Sequence, residues 1–219
     1  MNSNRVNLDL AASGALIVGR MRASSLCILH VLSYFVYQIK RLGERTTLTR
    51  NFIKNGRRRN MTQAVPEGFH TVTPTLTFKD SQQAIEFYKK AFNAQIVDLF
   101  PNPDGKGIMH ATIKIGNSII MMGDEMNGGE NCAKSAETLG NSPVGLFLYV
   151  ANVDEFFKQA VTAGGKETMP VTDMFWGDRA GHLKDPFGYS WMIATHKEDL
   201  TQHEIGKRAE AFFASMAKK

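Results

Sequence analysis

The stretch TPTLTFKDSQQAIEFYKKAFNAQIV, Thr73 to Val97, decides the fold because its layout returns as VGLFLYVANVDEFFKQAVTAGGKET, Val144 to Thr168. Each copy begins with a β-rich run, passes into an amphipathic helix and turns through small residues into another strand. Leu76 and Phe78 of the first correspond to Leu148 and Val150 of the second. Asp80 and Asn152 stand where a helix N-cap belongs, each offering a side-chain oxygen to unpaired backbone N–H groups. The first helix is expected over Ser81–Phe92, with Ala84, Ile85, Tyr88 and Phe92 on one face. The second is expected over Val153–Ala163, with Val153, Phe156, Phe157 and Val161 on its apolar side, ending at Gly164-Gly165.

Three more strands follow each helix. In the first copy they are QIVDLF, IMHATIKI and SIIMMG, with Gly116-Asn117 as the last turn; in the second, KETMPVTDMF, GDRAGHLKD and SWMIAT, with Asp185-Pro186-Phe187-Gly188. Leu76 and Leu148 lie 72 residues apart, as do Gly116 and Gly188. The fold class is therefore α+β, with tandem βαβββ modules at 72–123 and 143–196 forming a curved mixed sheet. The polar, Gly-rich connection Gly123 to Ser142 reads as a linker, with a lid as the alternative. EDLTQHEIGKRAEAFFASMAKK should close the chain as an amphipathic helix at 204–219. Its apolar side, Ile205, Ala209, Phe212, Phe213 and Met216, is expected to cover a sheet face or a neighbouring subunit.

Charge divides the chain. Residues 1–60 carry 11 Lys/Arg against only Asp9 and Glu44, while residues 61–219 are net acidic, although the whole chain is +5. The main domain, 67–203, therefore offers no basic surface for nucleic acid. The apolar run LCILHVLSYFVYQI, Leu26 to Ile39, is shorter than the ~20 residues a bilayer crossing needs, so no membrane partner is expected for the main domain. The basic extension reads as poorly ordered or non-native, with translation starting at Met61; an organelle transit peptide is the alternative to a cytoplasmic location. Cys27 and Cys132 suffice neither for a disulfide framework nor for a cysteine zinc site.

FKDSQQAIEFYKKAFNA, PDGKGIMHATIKIGNSIIMMGDE and DMFWGDRAGHLKDPFGYSWMIATHKEDL, set in a tandem βαβββ chain, resemble the vicinal-oxygen-chelate superfamily. Within it they look like the PhnB-like glyoxalase/bleomycin-resistance branch, over residues 67–203. The resemblance implies a divalent metal held by ligands on the first and last strands of each module. Carried over, those positions fall on Thr73, on Ile120 or Met121, on Gly145 and on Met192. None supplies the imidazole or carboxylate that such metals prefer, so no cofactor is expected and a divalent metal is disfavoured.

Strand alternation then fills the cleft. Thr75 and Thr77 point inward while Leu76 and Phe78 pack on the helix; Phe147, Tyr149 and Met192 point inward while Leu146, Leu148, Val150, Trp191 and Ile193 turn to the core. Phe175 and Trp176 are expected to stack on a ligand, with Arg179 clamping an anionic group; the alternative is an Arg179–Asp178 surface pair and Trp176 as a core plug. His110 and His182, 72 residues apart, could form a symmetric two-histidine site with Glu125 or Asp124 as third ligand, or His110 alone could serve as a general base. Three functions compete: a homodimeric small-molecule-binding protein with an apolar, aromatic cleft, a metal-dependent lyase or dioxygenase, and a metal-independent enzyme using His110 or Arg179.

Overall fold

The computed structural model describes residues 63–126 and 132–216. The basic extension, its suspected start at Met61 and its leader-like character lie outside these residues. The first module runs β1 (Thr75–Phe78), α1 (Ser81–Phe92), β2 (Gln95–Pro101), β3 (Ile108–Ile115) and β4 (Ser118–Asp124). A short helix α2 (Ala136–Leu139) precedes the second module, which runs β5 (Gly145–Tyr149), α3 (Val153–Thr162), β6 (Lys166–Asp173), β7 (Asp178–Lys184) and β8 (Ser190–His196). Helix α4 (Gln202–Met216) follows. The two sheets have matching orders, β1-β4-β3-β2 and β5-β8-β7-β6, with the first and last strand of each module parallel neighbours. This is a tandem βαβββ α+β fold.

Local chemistry explains the helix starts. Asp80 caps α1 by accepting from the Gln83 N–H, and Asn152 caps α3 by accepting from Glu155 N–H. Ser135 likewise caps α2, a helix the sequence reading had folded into the linker; the Glu125 carboxylate anchors it by accepting from Ser135 N–H and the Thr138 hydroxyl.

One core serves both modules. Phe92 of α1 stacks on Phe156 of α3 at 6.0 Å between ring centroids. The Gln159 side-chain amide donates to the last carbonyls of α1, Lys90 O at 2.8 Å and Ala91 O at 3.3 Å. Trp191 of β8 is buried against Tyr88 and Phe92, and Phe187 of the β7–β8 turn meets Phe78 edge-on. The Tyr189 hydroxyl accepts from Thr77 N–H and donates to Thr77 C=O, so it covers part of the outer edge of β1.

Under this core sits the Asp185 carboxylate, which accepts from the Tyr88 hydroxyl at 2.7 Å, the Trp191 indole at 3.0 Å and the N–H groups of Phe187 and Tyr189. Burial pushes its pKa above the usual carboxylate range against the pull of those four donors. Burial, and after it the Asp185 charge, push the Tyr88 phenol well above its ordinary value. The Asp-Pro-Phe-Gly segment is thus both a turn and a polar hub inside an aromatic core.

The C-terminal helix does not take the sheet-covering role, one of the two expected for its apolar side. None of its described residues is buried, and its apolar side covers no sheet face. Phe212 and Phe213 instead meet Phe175 at 5.5 and 6.0 Å, and Arg208 pairs with Glu198. No helix among the described residues is long and apolar enough to cross a membrane.

Candidate functional site

Each sheet has one face against the helices and one open face, and alternation assigns the side chains. In module one, Leu76, Phe78, Ile120 and Met122 join the core. Thr75 and Thr77 take the other face; Thr75 is in register with Met121, which is in register with Thr112. The metal position left between Ile120 and Met121 is thereby resolved, because Ile120 belongs to the core. Thr73 lies before β1 and donates its hydroxyl to His70 C=O.

In module two, Trp191 and Ile193 join the core, and Phe147 is in register with Met192 on the open face. Phe147 and Tyr149 are 50% and 61% exposed, with ring centroids 4.8 Å apart. Behind them a second apolar cluster, Met174, Ala180 and Ala194, packs with Met169, Trp176 and Met192. The positions that the resemblance implies as metal ligands therefore carry Thr73, Met121, Gly145 and Met192. That donor set does not fit a divalent metal, which prefers imidazole nitrogen and carboxylate oxygen. Among the described residues no three His, Cys, Asp or Glu side chains are grouped to hold one.

Two carboxylates proposed from sequence as metal ligands are engaged in structure. Asp124 accepts from Ser81 N–H and Ile108 N–H, tying β4 to the start of α1 and of β3. Burial of Glu125 opposes its charge, but the bonds from Ser135 and Thr138 hold its carboxyl below the usual value.

The histidine pair also changes. Leu76 and Leu148 are in register with Met122 and Ile193, which are in register with Ala111 and Gly181. His182 thus corresponds to Thr112, and His110 to Ala180. The 72-residue spacing misleads because Leu76 and Ala111 lie 35 residues apart but Leu148 and Gly181 only 33, so the path from β1 to β3 is two residues longer than that from β5 to β7. His110 lies on the open face with Nε2 3.2 Å from the Thr112 hydroxyl and its ring near Phe100. His182 Nδ1 is bound by the Thr168 hydroxyl.

Arg179 and Asp178 point to opposite faces and do not pair. The Arg179 guanidinium turns to the helix side, donating two bonds to Asp154 of α3, at 2.7 and 2.9 Å, and one to Asp173. These carboxylates hold it firmly protonated, and in return Arg179 holds Asp154 below its usual value. It is not poised as a clamp on the open face. Phe175 is likewise committed to Phe212 and Phe213, although it meets Trp176 edge-on at 4.9 Å.

Sequence reasoning missed Asp178 as an organiser of the open face. Its side chain is 3% exposed, and three donors converge on it. The Tyr149 hydroxyl and the Trp176 indole N–H each reach Oδ2 at 3.0 Å, while His196 Nδ1 lies 2.7 Å from Oδ1. Burial and then Asp178 raise the Tyr149 phenol above its ordinary value, so the hydroxyl stays protonated and points at the carboxylate. Asp178 also raises His196, with Asp199, on its other ring nitrogen at 3.0 Å, adding to the effect. The signal available in the sequence was parity: Asp178 shares a face with Ala180 and His182, the opposite of Arg179.

Comparison with known proteins fits this architecture. Residues 69–193 match the model of the Glyoxalase/Bleomycin resistance protein/Dioxygenase superfamily. An uncharacterized protein of Mycobacterium bovis is 36% identical over 137 residues, 61% of this chain and 88% of that one. Among solved structures, TioX from Micromonospora sp. ML1 is 23% identical with a TM-score of 0.46, covering 58% of this chain and 98% of its own. A PhnB protein from Bacillus cereus, described as a putative 3-demethylubiquinone-9 3-methyltransferase, is 20% identical with a TM-score of 0.45, covering 57% and 99%. With its duplicated βαβββ sheets and a family match over more than half its length, the chain belongs to the glyoxalase/bleomycin resistance protein/dioxygenase superfamily.

Proposed function

We propose that this chain is a PhnB-like, small-molecule-binding member of its superfamily that holds an apolar or aromatic ligand on its open sheet faces without a divalent metal. The observation that carries the reading is the ring pair Phe147 and Tyr149, half exposed beside Met192 and Trp176 on a strand whose other face is core. Large exposed rings grouped on one sheet face favour contact with a ligand or partner over water. Thr75 and Thr77 would add hydroxyls from the first module. In this reading the protein is a cytoplasmic homodimer, whose second copy would shield these rings further.

The sequence holds only two tryptophans, and Trp191 is buried in the core, so Trp176 fluorescence reports on the open face. Thermal-shift and fluorescence screening of aromatic and anionic small molecules should find ligands that raise the melting temperature and perturb Trp176. Met192→Arg should abolish both signals while the circular dichroism spectrum stays unchanged. A panel with no stabilising ligand would defeat the reading.

A catalytic version would use His110 as a base, since it faces the open side beside Thr112. Turnover of a bound ligand that is lost in His110→Ala, with binding retained, would establish it.

A further inference from the structure

His196 closes β8 beside Asp178, and the two hydrogen bonds of its ring are unequal. On the Nδ1 side lies a carboxylate that is 3% exposed and fixed by Tyr149 and Trp176. On the Nε2 side lies Asp199, whose side chain is fully exposed and pairs with a half-exposed ring. A buried acceptor held by three donors fixes the imidazole in place. An exposed pair contributes little, because water screens it and ordering the side chain costs entropy. Asp199 can therefore leave Nε2 at little cost, which frees the position of an anionic oxygen for a ligand.

We propose that His196 is an anion-recognising residue of the second module, and that Nε2–H takes the carboxylate of a small aromatic acid in place of Asp199. The ligand's flat body would lie along Tyr149 and Trp176, which share Asp178. This rests on the binding reading above and deepens it by naming the ligand class. Asp199 occupies the ligand's place in the free protein and makes the site self-competing. Among the described residues, Asp178 from β7 and Asp199 from the segment before α4 are the charged groups acting on the imidazole, and both favour its cationic form. The cation is what a carboxylate would bind, and charge-assisted bonds exceed neutral ones in strength.

The test uses 2-naphthoate, 2-naphthamide and 2-naphthylmethylamine with the full chain, by calorimetric titration at pH 6 and pH 9. The acid should bind about tenfold tighter than the amide at pH 6, a ratio set by one charge-assisted hydrogen bond. That preference should shrink at pH 9, as the imidazolium loses its proton. Asp199→Asn should tighten naphthoate binding a few-fold and leave the amide unchanged. His196→Gln should abolish the preference while the amide still binds, which shows that the fold survives. Equal binding of acid and amide, or a preference for the amine, overturns this inference and leaves the binding reading intact. No binding by any of the three overturns this inference, and failure of the wider screen as well removes both.

Discussion

Among the described residues the Asp185 carboxylate has four donors and no counter-cation, so its removal should be felt at once. Asp185→Ala leaves the Tyr88 hydroxyl and the Trp191 indole N–H buried without their acceptor, and each orphaned donor costs about 1–3 kcal/mol. Asp185→Asn, which keeps an acceptor oxygen, should lose less; urea unfolding of both variants checks the order. His196 supplies a second residue-scale prediction, with its sign fixed by linkage. Asp178 and then Asp199 raise its folded value above the ordinary one. Its stabilising contribution is therefore complete below the unfolded value near ~6.5 and is lost as pH rises through the folded one. The melting temperature of wild type should fall more steeply than that of His196→Gln over this window, and parallel curves would contradict the pairing.

At the scale of elements, α3 and β7 approach closely where they cross. A Cβ on Gly181 would stand 2.8 Å from the Phe157 ring and 2.9 Å from the Val171 side chain, so helix and sheet touch through a glycine. Gly181→Val should cost about 1–3 kcal/mol by overpacking, whereas Gly145→Ala, which meets nothing within 4 Å, should be close to neutral. Chemical denaturation of the two variants separates these outcomes. Such elements were legible because periodicity and capping agree: Ser81–Phe92 is bounded by Asp80, and Ile108–Ile115 and Ser118–Asp124 alternate around a two-residue turn. The site was less legible. Thr75, Thr77, Phe147, Tyr149 and Met192 follow from alternation alone, but the match of His110 to His182 fails by one strand period because the path from β1 to β3 is two residues longer than that from β5 to β7. Arg179 is drawn to the helix side by Asp154, a partner 25 residues away that no local pattern reveals. Asp178 becomes a hub only when Tyr149 and Trp176, from separate segments, converge on it.

Across the whole molecule the two modules share one aromatic core, since Trp191 of the second packs on Tyr88 and Phe92 of the first. The helices also meet across the modules, Phe92 of α1 stacking on Phe156 of α3, so the main domain should unfold in a single step. Tryptophan fluorescence and far-ultraviolet dichroism should give superimposable urea curves, and two separated transitions would contradict a shared core. The same packing turns both open faces away from the helices. Their His, Asp and Glu side chains are nowhere grouped in threes among the described residues, so binding should owe nothing to a metal. The most direct test is the dissociation constant of an aromatic ligand, measured on chelator-treated protein and again with manganese or zinc restored. The two constants should agree within error; a ligand that binds only after metal is added would contradict the account.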